Sequence, residues 1–204
     1  MNMVWLAISV LAWGFLHSLF ASLKFKELIR RHSGPWTVRI YRLVYNLFAG
    51  FSFVLVLAVA ARTPDKTLYS IPFPWFIPFV IGQGLAVIAL VVGFLQSHPM
   101  EFLGICQLGS PIEEPRRLTI DGLYRFVRHP LYTGGLVFIW LMPFMTERVL
   151  VINLALTVYG VAGAYLEESK VIREFGQEYI DYKTVTPMFI PFIKGDKLGR
   201  DASN

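Results

Sequence analysis

The chain has 204 residues, of which 55% are hydrophobic and only 16% are charged. Soluble domains carry about 45–50% apolar and about 25% charged residues, so this composition indicates a protein that faces lipid. A single cysteine, Cys106, excludes a disulfide scaffold and a cysteine-rich zinc site. The net charge of +5 does not indicate nucleic acid, because basic residues in a membrane protein mainly report topology.

Apolar runs of about 20 residues are long enough to cross the hydrocarbon core as helices. The sequence predicts an all-α integral membrane protein in one domain, 1–204, with a cytoplasmic C-terminal segment at 167–193 and a flexible tail at 194–204. Its five predicted transmembrane helices lie at 3–23, 41–61, 75–97, 131–146 and 148–166. The last two are interpreted as a hairpin of short helices, because only Thr146, Glu147 and Arg148 interrupt that apolar region after Pro143.

The positions of the 19 Lys and Arg residues predict the orientation in the membrane. All but Arg62, Lys66 and Arg148 fall in the first loop, the third loop or the C-terminal tail. Because basic loops stay in the cytoplasm, the N-terminus is predicted to be outside and the C-terminus in the cytoplasm. The first five residues contain no basic group, so a cleavable signal peptide is not expected.

Polar residues are concentrated in two long segments on the predicted cytoplasmic side, which suggests a site there. The first contains Arg128-His129-Pro130 directly before the fourth predicted span. Pro130 suits the first turn of a helix, where its missing N–H costs nothing. Arg128 and His129 would then lie beside a helix N-terminus, where free backbone N–H groups favour an anion and the Arg fork can bind a carboxylate or phosphate.

The second polar segment begins with Glu167 and Glu168 at the end of the fifth predicted span. Carboxylates at a membrane boundary are costly unless they are paired or bound to a ligand. From the residues alone, Arg128 and Glu168 form either part of a ligand site or an ion pair that locks the loop against the helix. The nearby tyrosines form either part of that site or an aromatic belt at the membrane interface; these are Tyr124, Tyr132, Tyr179 and Tyr182.

Together the two segments resemble the C-terminal signature of the isoprenylcysteine carboxyl methyltransferase superfamily of integral membrane methyltransferases. The signature joins Arg128-His129-Pro130-Leu131-Tyr132 through a helical hairpin to Glu167-Glu168, and then to Phe175-Gly176-Gln-Glu-Tyr179-Ile-Asp-Tyr182. The N-terminal half is similar, more loosely, to a bacterial branch that includes methanethiol S-methyltransferase and NnrU-like proteins. That part of the resemblance is carried by His17-Ser18, Tyr41-Arg42, Tyr45-Asn46 and Glu101-Phe-Leu-Gly104.

The resemblance implies a bacterial inner-membrane enzyme with S-adenosyl-L-methionine bound in a pocket facing the cytoplasm, built from the third loop, helices 4 and 5 and the C-terminal helix. Arg128 and His129 would hold the methionine carboxylate, and Glu168 with Glu167 would bind ribose hydroxyls or the amine. Tyr132, Tyr179 and Tyr182 would line the adenosine region, with Tyr124 beside them. Membrane lipids and a small or lipophilic methyl acceptor are the expected partners, with no nucleic acid and no metal.

The acceptor stays open between a thiol, an isoprenylcysteine-like carboxylate and a phospholipid amine. A carboxylate needs no base, whereas a thiol must lose a proton from a reference pKa near 8.5. His17 is the candidate base, with Asn46 at a similar level, and the alternative for His17 is a structural hydrogen bond between helices. Two other functions remain as alternatives: a non-catalytic small membrane protein with structural Arg/Glu clasps, and a nicotinamide-dependent sterol-type reductase.

Overall fold

The computed structural model of the protein describes residues 2–97, 99–103, 105 and 117–192. The elements over these residues are α1 (Met3–Ala21), α2 (Leu23–His32), α3 (Pro35–Ala61), β1 (Thr67–Ser70), α4 (Phe76–Gln96), α5 (Pro99–Leu103), a 3-10 helix (Gly122–Arg125), α6 (Pro130–Trp140), β2 (Phe144–Thr146), α7 (Glu147–Phe175) and α8 (Gln177–Val185). The tail predicted to be flexible, 194–204, lies outside the described residues, as does Cys106.

Within the described part of the chain, four helices are long and apolar enough to cross a membrane, namely α1, α4, α7 and the 39–61 part of α3. Large apolar side chains such as Phe15 and Phe51 are about two-thirds exposed on them, at 67% and 72%. Exposed apolar surface of this extent requires a lipid solvent. The predicted helical membrane architecture is therefore confirmed over the described residues.

The fourth predicted span is shorter than expected. Helix α6 is apolar but has 11 residues, so it is about 16 Å long, roughly half of the hydrocarbon thickness. The assignment of 141–146 to this helix is wrong, because Phe144–Thr146 instead pairs antiparallel with Thr67–Ser70. Pro143 explains the change, since it has no amide hydrogen and disfavours helical backbone in the residue before it.

An ion pair joins the end of α3 to the start of α7. The Arg148 guanidinium donates from Nε to Asp65 Oδ2 at 3.0 Å and from Nη1 to the carbonyl of Ala60 at 2.8 Å. Asp65 Oδ1 also accepts the backbone N–H of Arg148, at 3.0 Å, and so satisfies a donor in the first turn of α7. Arg148, one of the three cations predicted outside, therefore has a structural partner.

The chain divides into two compact units, with α7 contributing to both. Unit 1 comprises 1–70, 98–115 and 144–159, and unit 2 comprises 71–97, 116–143 and 160–204. The core of unit 1 is a cluster of buried apolar side chains from α1, α3 and α7: Leu6, Val10, Val56, Ala60 and Ala155. In unit 2, α4 packs on α6, where Gly134 lets Leu90 and the Ala86 carbonyl approach closely.

Substitution of Gly14 tests the close packing of α1 against α7 within unit 1. A Cβ atom at Gly14 would lie 2.8 Å from Cδ2 of Tyr159, whereas one at Gly50, on α3, would meet nothing within 4 Å. We expect Gly14→Ala to lower the free energy of unfolding by about 1–3 kcal/mol through overpacking. Gly50→Ala should be neutral or slightly stabilising because alanine favours helix. Thermal unfolding in detergent measures both, and equal melting temperatures would contradict the packing.

Candidate functional site

A tight turn before α6 positions the Arg-His-Pro segment in unit 2. Gly122 has a positive φ of 61°, and a Cβ atom there would lie 2.0 Å from Nε2 of Gln96, so only glycine fits. Gln96 Oε1 accepts the backbone N–H of Leu123 at 3.0 Å, which ties the 3-10 helix to the end of α4. His129 then caps α6 and Pro130 occupies its first turn, as predicted.

The centre of the site is the buried carboxylate of Glu168, which is only 2% exposed. Arg128 donates from Nε to Oε1 at 2.6 Å, and Lys183 on α8 donates from Nζ to Oε2 at 2.8 Å. The Arg128 side chain is itself 1% exposed. The ion pair that the sequence left as an alternative is therefore present, and Glu168 uses both of its oxygens within the protein.

A backbone strap, Thr186–Phe189, crosses the Arg-His-Pro segment. The carbonyls of Pro187 and Met188 accept the backbone N–H groups of Arg128 and His129, at 2.9 and 3.2 Å. Further carbonyls of the strap accept from the Arg128 guanidinium, through Nη1, and from the hydroxyl of Thr133. The strap thus fixes both the backbone and the side chain of Arg128.

Two donors at this centre remain available. Arg128 Nη2 and His129 Nε2 are buried and have no hydrogen-bond partner among the residues that the structure describes. His129 Nε2 lies 3.4 Å from Glu168 Oε1, which is within ion-pair distance but without the alignment of a hydrogen bond. Unpartnered buried donors cost about 1–3 kcal/mol each, and two cations face one carboxylate here. An anionic group beside the N-terminus of α6 would satisfy both the donors and the surplus charge.

The four predicted tyrosines surround this centre but differ in exposure. Tyr179 and Tyr182 are buried, at 4% and 9% exposed, and their rings lie 5.7 Å apart, so they do not form a lipid-facing belt. The hydroxyl of Tyr182 donates to the carbonyl of Tyr124. On the accessible side, the hydroxyl of Tyr132 donates to Oε2 of the exposed Glu167 at 3.1 Å.

Burial keeps the site tyrosines protonated. It raises the pKa of Tyr124 to about 12, with the negative charge of Glu167 as the second cause. Burial also raises the pKa of Tyr179 and Tyr182 well above the usual value. The Glu168 carboxylate adds to the increase at both positions, while the Arg128 cation opposes it. These three side chains therefore act as neutral hydrogen-bonding groups over the physiological pH range.

His17, the candidate base, lies in unit 1 among aromatic side chains of three helices. Its Nδ1 is 2.7 Å from the hydroxyl of Tyr159 on α7, and its Nε2 is 2.6 Å from the hydroxyl of Tyr45 on α3. The ring of Trp13 lies 5.3 Å away. One tyrosine can donate to the ring and the other accept from it, which suits a neutral imidazole. The structural alternative for His17, hydrogen bonding between helices, is therefore present in the structure.

Asn46 donates from Nδ2 to the carbonyl of Leu103 on α5 at 3.2 Å. The sequence reasoning did not identify Lys183 as a partner of Glu168, nor Tyr159 as a partner of His17. Each pair meets only through the tertiary fold. Lys183 lies 15 residues from Glu168 along the chain, and Tyr159 lies 142 residues from His17. The only available signal was that Lys183 directly follows the tyrosine motif ending at Tyr182.

The chain is similar to known methyltransferases. The phospholipid methyltransferase family model matches residues 78–178. Methanethiol S-methyltransferase of Crocosphaera subtropica is 30% identical over 193 residues, covering 87% of this chain and 73% of that protein. The enzyme of the same name from Pseudomonas sp. is 30% identical, covering 90% and 74%. Protein-S-isoprenylcysteine O-methyltransferase of Rattus norvegicus is 36% identical over 98 residues, covering 44% and 33%.

No solved structure matches the chain significantly. The matched range of the family model includes Arg128 and Glu168. The relatives are named as methyltransferases, and they support neither the reductase nor the non-catalytic alternative. The chain belongs to the family of integral membrane methyltransferases that includes methanethiol S-methyltransferase and protein-S-isoprenylcysteine O-methyltransferase.

Proposed function

We propose that the protein is an S-adenosyl-L-methionine-dependent methyltransferase whose cofactor binds at the Arg128–Glu168 centre of unit 2. The observation that supports this most strongly is the pair of buried, unpartnered donors, Arg128 Nη2 and His129 Nε2. They lie beside the N-terminus of α6, where two cations face a single buried carboxylate. This donor set fits the α-carboxylate of the cofactor.

The two adjacent glutamates take different roles in this proposal. Glu168 is buried and fully bonded, so it positions Arg128 instead of contacting the ligand. Glu167 is exposed and bonded to Tyr132, which leaves it accessible to the ammonium group or the ribose hydroxyls. Tyr124 and Tyr132 then flank the same carboxylate as neutral donors, while Tyr179 and Tyr182 support the centre from within.

When bound, S-adenosyl-L-methionine supplies an electrophilic methyl group on a sulfonium. The contribution of this chain is to hold the methionine end rigidly, because in-line alignment lowers the entropic part of the barrier. The strap and the ion pair hold the Arg128 guanidinium in one orientation. The basic loops predict a cytoplasmic C-terminus, and this orientation gives the Arg128–Glu168 centre access to the soluble cofactor. The orientation and an inner-membrane location are part of the proposal.

For the acceptor we favour a small thiol, with His17 as the base that removes its proton. Two relatives that align with most of this chain are methanethiol S-methyltransferases. Tyr45 and Tyr159 hold the imidazole of His17 in a fixed orientation. A lone pair on one ring nitrogen becomes available when the tyrosine that donates to it rotates its hydroxyl toward another acceptor. Asn46 then serves to position α3 through its bond to α5.

His129→Leu tests the cofactor site directly. The substitution removes one unpartnered donor but keeps the side-chain volume and the Arg128–Glu168 pair. We expect calorimetry on the detergent-purified protein to show micromolar binding of S-adenosylmethionine and S-adenosylhomocysteine, weakened about tenfold in this variant by the loss of a charge-assisted hydrogen bond. His32→Leu, on the exposed end of α2, is the matched control and should bind normally.

The nicotinamide cofactors should not bind in the same experiment. Absence of S-adenosyl binding to the folded protein would contradict the proposed cofactor, and equal binding by His129→Leu would contradict its proposed position. Circular dichroism of each variant confirms that the helices are intact.

The contrast between Glu167 and Glu168 tests their separate roles. Glu168→Gln leaves Arg128 and Lys183 without a counter-charge, so we expect a loss of about 3–5 kcal/mol in the free energy of unfolding. Glu167→Gln should leave the melting temperature unchanged and weaken cofactor binding several-fold. Glu178→Gln, an exposed carboxylate on α8, serves as the control for both readouts. The assignment is wrong if Glu167→Gln unfolds the protein or if Glu168→Gln leaves its stability unchanged.

His17→Gln tests the base and the class of acceptor together. With a small thiol as acceptor, we expect kcat/KM at pH 7 to fall about 100-fold, within the usual contribution of a general base. For an acceptor thiol with a pKa near the cysteine value of about 8.5, the deficit should shrink as the pH rises past that value, because the thiol then ionises without help. Methylation rates from pH 6 to 9.5 measure this. A deficit that is constant with pH would exclude His17 as the base, and methylation of carboxylates alone would exclude the thiol.

A further inference from the structure

Helix α2 separates apolar from basic side chains. Ser22 ends α1 and starts α2, because its backbone N–H bonds to the carbonyl of Leu19 and its hydroxyl accepts the N–H of Phe25 at 3.2 Å. At 100° per residue, Phe25, Leu28 and Ile29 share one face of the helix. The opposite face carries Lys24, Lys26, Glu27, Arg30 and Arg31. The helix therefore has the amphipathic pattern of a segment that lies in the membrane interface.

The protein covers the apolar face only in part. The ring of Phe25 packs on the rings of Phe20 and Tyr41, at centroid distances of 5.0 and 6.3 Å. Leu28 remains 51% exposed, and Trp36, at the start of α3, is 70% exposed. Because α2 directly follows a helix that is long enough to cross the membrane, the natural cover for these side chains is the acyl and glycerol region of the bilayer.

The basic face is organised and accessible. Glu27 accepts from Arg30 at 2.7 and 3.0 Å and from Nε of Arg31 at 2.8 Å, so one carboxylate aligns two guanidinium groups. The side chains of Arg30 and Arg31 are still 68% and 71% exposed. With Lys24, which is also exposed, three exposed cations accompany one carboxylate on this face. Two neighbouring guanidinium groups that face outward suit phosphate oxygens.

We propose that α2 is an interfacial anchor that binds anionic phospholipid headgroups of the bilayer. Leu28 inserts below the phosphates while the basic face binds them, with Arg30 and Arg31 aligned by Glu27. Charge complementarity selects this occupant, because a zwitterionic headgroup would not neutralise the surplus cations. Each Lys or Arg near an anionic surface contributes about a fivefold gain in affinity.

Retention of lipid by the full-length protein tests the proposal independently of methyl transfer. The protein is reconstituted in nanodiscs with equal phosphatidylglycerol and phosphatidylcholine, and the lipids retained after release are counted by native mass spectrometry. We expect the wild type to retain phosphatidylglycerol preferentially. Lys24→Gln/Arg31→Gln should reduce this preference about tenfold or more, since two cations are removed.

Arg62→Gln/Lys66→Gln removes the same number of charges outside α2 and should keep the wild-type preference. Equal retention of both lipids by the wild type, an unchanged preference in the α2 variant, or an equal loss in the control variant would each overturn the proposal. If the α2 variant does not fold, a salt series on the wild type decides. The preference should fall steeply between about 0.05 and 0.5 M KCl, because exposed charges are screened over this range, and a preference independent of salt would refute an electrostatic anchor.

Discussion

Unit 2 depends on the ion pairs of the buried Glu168 carboxylate. A carboxylate that is 2% exposed is tolerated only with close counter-charges, and Arg128 and Lys183 supply them from a loop and from α8. Because the two cations lie in different parts of the chain, the Glu168 carboxylate connects α7 both to the loop of Arg128 and to α8. The same pairing fixes the Arg128 side chain and, through the strap Thr186–Phe189, the backbone that carries it. A structural clasp and a preorganised ligand site are therefore compatible properties of one ion cluster.

Sequence reasoning predicted the features that local chemistry determines. Hydropathy predicted the four long apolar helices, because an uncharged run of about 20 residues has few alternatives to a membrane span. Pro130 predicted the start of α6, since a residue without an amide hydrogen suits only the first turn. Helix α7 ends at Phe175, and the next residue, Gly176, has a backbone φ of 57° that glycine adopts without strain.

The sequence could not predict the features that depend on distant partners. Pro143 disfavours a continued helix, but the strand Phe144–Thr146 itself is formed by pairing with Thr67–Ser70, a distant segment that the local sequence does not indicate. The strap was beyond prediction because its contacts use backbone carbonyls, which carry no residue signature. The choice between a ligand role and an ion pair for Arg128 could not be made from spacing, since both need the same residue types. The structure adds Lys183 and so shows that Glu168 is neutralised before any ligand binds.

The Arg128–Glu168 centre and the His17 cluster differ in charge, and this difference limits the chemistry of each. The Arg128–Glu168 centre carries a surplus of positive charge and two unpartnered donors, which is a suitable environment for a carboxylate. The surroundings of His17 consist of neutral tyrosines and Trp13, with no fixed cation among its described partners. A neutral aromatic environment stabilises an anionic acceptor poorly but accommodates an uncharged thiol. In the proposed function, deprotonation of a neutral thiol at the moment of reaction, instead of prior binding of an anion, is therefore the chemistry that suits the His17 cluster.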